Sequence, residues 1–193
     1  MAGKSGKGSN FEREICKMLS EWWSHGANDD IFWRTDNSGG RAKFRKRYQG
    51  KDTYGQAGDV QAINPIGQPL LDVFTLELKR GYSKNTMMDM MDKKPHMAMQ
   101  QWEKHIRQVI GDSKNAKSKS WMLISRRDQR EAVIDITIGI ANLLVNEGCK
   151  LFQIPHLKSY LILKNEKRIS VYTTQLFNFL KVVNPDNVKA IIE

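Results

Sequence analysis

GDVQAINPIGQPLLDVFTLELKR, residues 58–80, is the stretch on which the reading of the whole chain turns. Its second half, Leu70 to Leu78, is apolar enough for a covered strand, yet Glu77 and Lys79 stand at its end. Side chains alternate along a strand with period two. Phe74, Leu76 and Leu78 therefore share one face, while Val73, Thr75, Glu77 and Lys79 share the other. The first face supplies core. On the second, an acid and an amine stand about 7 Å apart. Such a pair suits a hard cation, ligated through carboxylate oxygen, and the water or phosphate beside it. Val60 to Ile63 reads as a neighbouring strand and NPIGQP as the turn between the two, with both prolines outside the ladders. A hairpin of this kind brings Asp59 beside Glu77. Plainer readings stand next to this one: E-x-K is also a common surface salt bridge, and Gly58-Asp59 is ordinary turn chemistry.

Upstream, Ser9 to about Trp23 has Phe11, Ile15, Met18, Leu19 and Trp22 at helical spacing. At about 100° per residue from Phe11, Glu12 falls inside the apolar arc, whereas Glu14 and Glu21 fall outside it. Glu14 is therefore the solvated neighbour. An acid on a buried edge is costly unless something pairs with it. Ser9-Asn-Phe-Glu12 matches a capping box, which is one answer; a metal ion or Lys79 is another. Residues 1–8 read as a flexible basic arm, polar and glycine-rich, with no hydrophobic segment of a signal peptide behind them.

Ile31 to Arg34 reads as a short strand. From Thr35 to Gly58 periodicity is lost, five glycines appear, and RAKFRKRYQGK carries six positive charges and no acid. A connection of that length points to a functional loop. Downstream, a helix is expected around His96 to Ile110, with Met99, Trp102, Ile106, Val109 and Ile110 as its stripe. GDSKNAKSKS, residues 111–120, reads as a polar loop. Trp121–Ser125, Ala132–Ile136, Ser159–Leu163 and Ile169–Tyr172 read as strands, Gly139–Val145 is ambiguous, and Thr174–Lys181 reads as a helix before a short terminal segment. No repeat or domain break interrupts residues 9–193, so one α/β domain with helices flanking a small mixed sheet is expected.

The formal charge of +10 favours a polyanionic partner. No apolar run reaches membrane-spanning length. Cys16 and Cys149 form no zinc spacing or disulfide framework, which suits a reducing, cytoplasmic setting. His25, His96, His105 and His156 have no motif partners, and His105 reads as a helix-surface residue. Gln100 and Gln101 read as surface or helix-core residues.

The ordered set GSNFERE (8–14), Gly58-Asp59-Val60 and Leu76-Glu77-Leu78-Lys79 resembles the PD-(D/E)XK nucleases over roughly residues 8–136. It is most similar to the branch holding Holliday-junction resolvases and related phage or restriction-like endonucleases. The resemblance implies a restriction-endonuclease-like α/β fold, with a mixed sheet flanked by helices. It implies that Glu12, Asp59 and Glu77 surround one or two Mg²⁺ ions, with Mn²⁺ able to substitute, and that Lys79 stands at the nucleophile. Arg34 and Ser38 resemble the family's Arg and Ser–Gly positions. Arg41, Lys43, Arg45, Lys46, Arg47 and Lys51 supply phosphate contacts on that reading, with Phe44 and Tyr48 interleaved. The implied partner is branched or double-stranded DNA, the implied assembly a homodimer, and a phage or mobile element the implied source. S125-R-R-D-Q-R-E131, between two strands, resembles a turn of the phage members. Two alternatives remain open: a duplex-specific restriction-like or nicking enzyme, and a basic nucleic-acid-binding protein without activity.

Overall fold

In the computed structural model the described residues are 5–35, 58–82, 89, 92–94, 97–162 and 168–192. The basic run and Ser38 to Lys51, and residues 1–4 of the expected arm, lie outside them. Helix α1 spans Ser5–Trp23, so residues 5–8 are helical rather than part of an arm. Ser9 sits within that helix, and the capping-box reading of Ser9 and Glu12 is thereby replaced. Phe11, Ile15, Leu19 and Trp23 form its buried stripe.

Strand β1 (Phe32–Arg34) pairs antiparallel with β2 (Val60–Ala62) in a small two-stranded sheet. The expected hairpin between Val60 and Leu70 does not form. Residues 70–73, read as the start of a long strand, instead belong to helix α2 (Gln68–Val73), preceded by a 3-10 turn at Pro65–Gly67. The run Leu70-Leu71-Asp72-Val73 fits either period, because Leu70 and Val73 are also three residues apart. Pro69 decides between them: its fixed φ and missing N–H suit a first helical turn.

Strand β3 (Phe74–Arg80) follows directly and begins the main sheet. Helix α3 runs from Gln101 to Ala116, with Gln100 and Glu103 forming a capping box. The stretch 111–116, expected as loop, therefore continues the helix, because Asp112 and Ser113 turn inward and are buried. Its end is marked by Lys117 in the left-handed region, φ 59°. Met99, expected on the helix stripe, precedes the helix and is exposed. Then come β4 (Ser120–Arg126), β5 (Val133–Thr137), α4 (Ile138–Asn146), β6 (His156–Ile162), β7 (Arg168–Gln175), α5 (Leu176–Val182) and α6 (Pro185–Ala190).

The five strands lie in the order β3-β4-β5-β7-β6. Strands β3 and β4 are parallel, joined by a crossover containing α3, and the other pairs are antiparallel. This is the α/β, restriction-endonuclease-like arrangement: a mixed sheet flanked by helices. One sheet face carries Leu76, Leu78, Met122, Ile124, Ile134, Ile136 and Tyr172 into a core shared with α1. The opposite face packs Trp121, Leu123 and Val171 against Ile106 and Val109 of α3. Registers align Glu77, Leu123, Asp135 and Thr173 in one row across that second face.

Candidate active site

Glu77 lies near the C-terminal end of β3, on the face covered by α3, and is only 2% exposed. Strand alternation puts Lys79 on the same face, and its Nζ donates to Glu77 Oε1. The same oxygen accepts from Gln108 Nε2 on α3 at 2.6 Å. Asp59, also buried, reaches β3 without a hairpin. Its backbone N–H donates to Leu76 O at 2.8 Å, and its carboxylate Oδ2 accepts from Leu78 N at 2.9 Å. Thr35 holds this corner from the other side: its amide donates to Asp59 O and its hydroxyl to Gly58 O.

Gly58 is what lets the two segments meet. Its φ is +84°, and a Cβ built on it would stand 2.5 Å from Leu76 O. No L-side chain fits that approach.

The electrostatics follow from crowding. Burial pushes the Glu77 carboxyl up to about 7, and the charge of Asp59 adds to the rise, with Asp112 contributing in the same direction. Burial alone would lower Lys79, but the Glu77 carboxylate and its hydrogen bond, with Asp59 and Tyr82, outweigh it and hold the ammonium above its ordinary value. Lys79 is therefore a cation at neutral pH.

Glu12 stands apart from this pair. Its carboxylate faces Arg34 Nη1 at 3.5 Å, and its side chain is 23% exposed. Glu12 and Asp59 both raise the buried Cys16 thiol, to about 12 with burial as the larger cause, so the two acids flank one stretch of α1. That thiol is inert at neutral pH. Among the described residues no three of His, Cys, Asp or Glu are grouped as a metal-binding set. The donors that do come together, Asp59 and Glu77, are hard carboxylate oxygens, the donor type that suits a divalent cation. Mg²⁺ takes one or two carboxylates and completes its shell with water and substrate phosphate.

Three residues at the site escaped the sequence reading. Gln108, not Gln100 or Gln101, is the glutamine that touches Glu77. His105, expected on the surface, is buried, because this face of α3 lies over the end of β3. Burial and the Lys79 charge push its imidazole down to about 4, so it is neutral at physiological pH. Asp112 is the second acid felt by Glu77, after Asp59. The available signal was the polar series Gln101, His105, Gln108 and Asp112, spaced to fall on one helical face. Glu14, expected to be solvated, is exposed, and it also forms a two-pronged pair with Arg126, which holds its carboxyl below the ordinary range and ties α1 to the end of β4. Arg126 begins the Arg126–Glu131 turn, where Asp128 also faces Arg80 at 3.7 Å.

No described helix is long and apolar enough to cross a membrane. No curated protein and no solved structure matches the chain. A family model described as "Phage putative PDDEXK endonuclease" matches residues 3–190, nearly the whole chain, and the protein belongs to that nuclease family.

Proposed function

We propose that the protein is a divalent-cation-dependent endonuclease that hydrolyses DNA phosphodiester bonds, with branched DNA as its substrate form. The observation that carries this reading is the convergence at Glu77: one buried oxygen shared by Lys79 and Gln108, with the Asp59 carboxylate anchored to the neighbouring Leu78 amide. Asp59 and Glu77 would hold Mg²⁺, with Mn²⁺ able to substitute, and the ion would supply Lewis acidity toward the phosphate and the attacking water. The chain's own residues do the rest. Leu78 N holds the Asp59 carboxylate and Gln108 that of Glu77, which limits the reorganisation required when substrate arrives. Lys79, as an ammonium, neutralises charge that grows on the phosphoryl oxygens as water attacks phosphorus and the P–O bond breaks. His105, being neutral, adds no competing charge beside Lys79.

Arg34 can exchange its loose pairing with Glu12 for a DNA phosphate, which frees Glu12 as a further oxygen donor, direct or through water. Ser38, Arg41, Lys43, Arg45, Lys46, Arg47 and Lys51 lie in sequence between Arg34 and Asp59, and the +10 charge of the chain favours phosphate binding. Branched DNA is supported by the similarity of the ordered motifs to the resolvase branch. Paired cuts on a branched substrate need two sites, and a homodimer provides them.

The test compares wild type with Lys79→Ala on labelled four-way junction and matching linear duplex, in Mg²⁺, Mn²⁺ and EDTA. Junction cleavage that disappears in EDTA and in the variant is expected. Equal cleavage of both substrates replaces branched DNA with general duplex. No cleavage in either ion, with DNA binding intact, overturns the enzyme reading.

A further inference from the structure

Beyond Lys79 the chain leaves β3 through Gly81 and Tyr82, which both have positive φ, 96° and 56°. Positive φ is routine for glycine and uncommon for a bulky aromatic residue, where it costs about 1 kcal/mol or more. The other non-glycine residues of this kind among those described are His25, Lys117 and Gln129, which lie beyond helix ends or in a turn. Tyr82 has no such excuse, since it follows a strand. The backbone sets the ring edge-on against His105, with centroids 4.7 Å apart and planes at 66°. His105 is 6% exposed and thus a fixed support, whereas Tyr82 is 47% exposed. The Tyr82 phenol lies near enough to Lys79 to contribute to the rise of its pKa. A half-exposed aromatic ring is thus braced against His105, near Lys79, by a conformation that costs free energy.

We propose that Tyr82 is a positioning residue whose ring stacks on an unpaired nucleobase next to the scissile phosphate. This rests on the DNA-endonuclease reading and deepens it. Bases within a continuous duplex are already stacked on their neighbours and offer no free face. An unpaired or splayed base at a branch point, flap or single strand does offer one, and every base has a π-face, so the contact selects structure over sequence. The two χ angles of the tyrosine are restricted by the His105 contact, so little side-chain freedom remains to be lost when a base arrives. The ring therefore contributes to preference for branched over linear DNA, while the Asp59–Glu77–Lys79 cluster performs the cut.

The experiment measures binding and cleavage separately. A four-way junction and a splayed duplex carry the fluorescent base 2-aminopurine at the branch, and affinity is read in Ca²⁺ or EDTA against linear duplex. In wild type the probe should be quenched on binding. In Tyr82→Ala the quenching should vanish, and the junction-to-duplex affinity ratio should fall roughly 5- to 150-fold, the range for loss of one base–aromatic stack. Tyr82→Phe should retain both. Tyr82→Gly, which relieves the left-handed strain, should melt no lower than Tyr82→Ala yet lose the same preference. Unchanged quenching and ratio in Tyr82→Ala overturn the proposal. So does a Tyr82→Phe defect equal to that of alanine, which makes the phenol rather than the ring the working part. Equal loss on junction and linear duplex assigns Tyr82 a merely structural role. Quenched binding by a wild type that cleaves nothing in Mg²⁺ or Mn²⁺ upholds the stacking and removes the enzyme reading instead.

Discussion

Gln108 of α3 donates to the same Glu77 oxygen that receives Lys79, so a helix on one side of the sheet orients a carboxylate at the end of a strand. Removing that amide leaves Glu77 buried with one donor fewer. Gln108→Ala is expected to raise the Mg²⁺ concentration needed for half-maximal cleavage and to lower cleavage, each by roughly 10- to 100-fold, the usual effect of losing a partner behind a metal ligand. Titrating the ion against cleavage rate checks this, and a structural role alone would leave the midpoint unmoved.

Gly58→Ala tests the close approach of Asp59 to β3. The added Cβ meets a backbone oxygen, which cannot rotate away, at a φ that alanine disfavours. A loss of roughly 1–3 kcal/mol in unfolding free energy is expected. Because Asp59 is the next residue, cleavage should fall by more than the loss of folded protein accounts for. Denaturant melts and rates normalised to folded protein separate the two effects.

Arg34→Ala should weaken DNA binding by a charge effect independent of sequence. If one phosphate contact is lost, the slope of log affinity against log salt becomes shallower by about 0.9. Anisotropy titrations across salt concentrations measure it, and an unchanged slope would remove Arg34 from the phosphate-binding set.

Asp135 gives a pH signature away from the cluster. It is wholly buried in the centre of the sheet, accepts hydrogen bonds from Thr173 Oγ1 and Trp102, and among the described residues its Oδ2 has no partner. Burial pushes it up to about 8 from an ordinary 3.8. Between those values the folded state holds a proton that the unfolded chain has released, so this group's contribution to stability falls as pH rises through that window and is level above it. Glu77, raised to about 7, tilts stability the same way over the lower part of the range. Asp135→Asn stays uncharged throughout. Relative to wild type, its melting temperature should improve from pH 5 to pH 8.5 by on the order of 5 °C or more. A parallel pair of melting curves would refute the assignment.

What the amino-acid order determined by itself is whatever depends on local period and composition. Glu77 and Lys79 had to share a face once residues 74–80 formed a strand, because alternation is a property of extended backbone. The α1 stripe from Phe11 to Leu19, the strands at 120–126 and 133–137, and the basic excess were legible for the same reason. Tertiary structure decided the rest. Leu70 to Val73 satisfies both helical and extended periods, and only Pro69 and the packing of Leu70 and Val73 resolve them. Asp59 meets Glu77 through one amide and one carboxylate contact on β3, a long-range pairing that no local period encodes. The polar face of α3 reads as solvated until a strand bearing acids lies beneath it, since a glutamine or histidine is equally at home in water and against a buried carboxylate. Burial also raises Glu77 and lowers His105, and burial is a property of the folded surface, not of the residue.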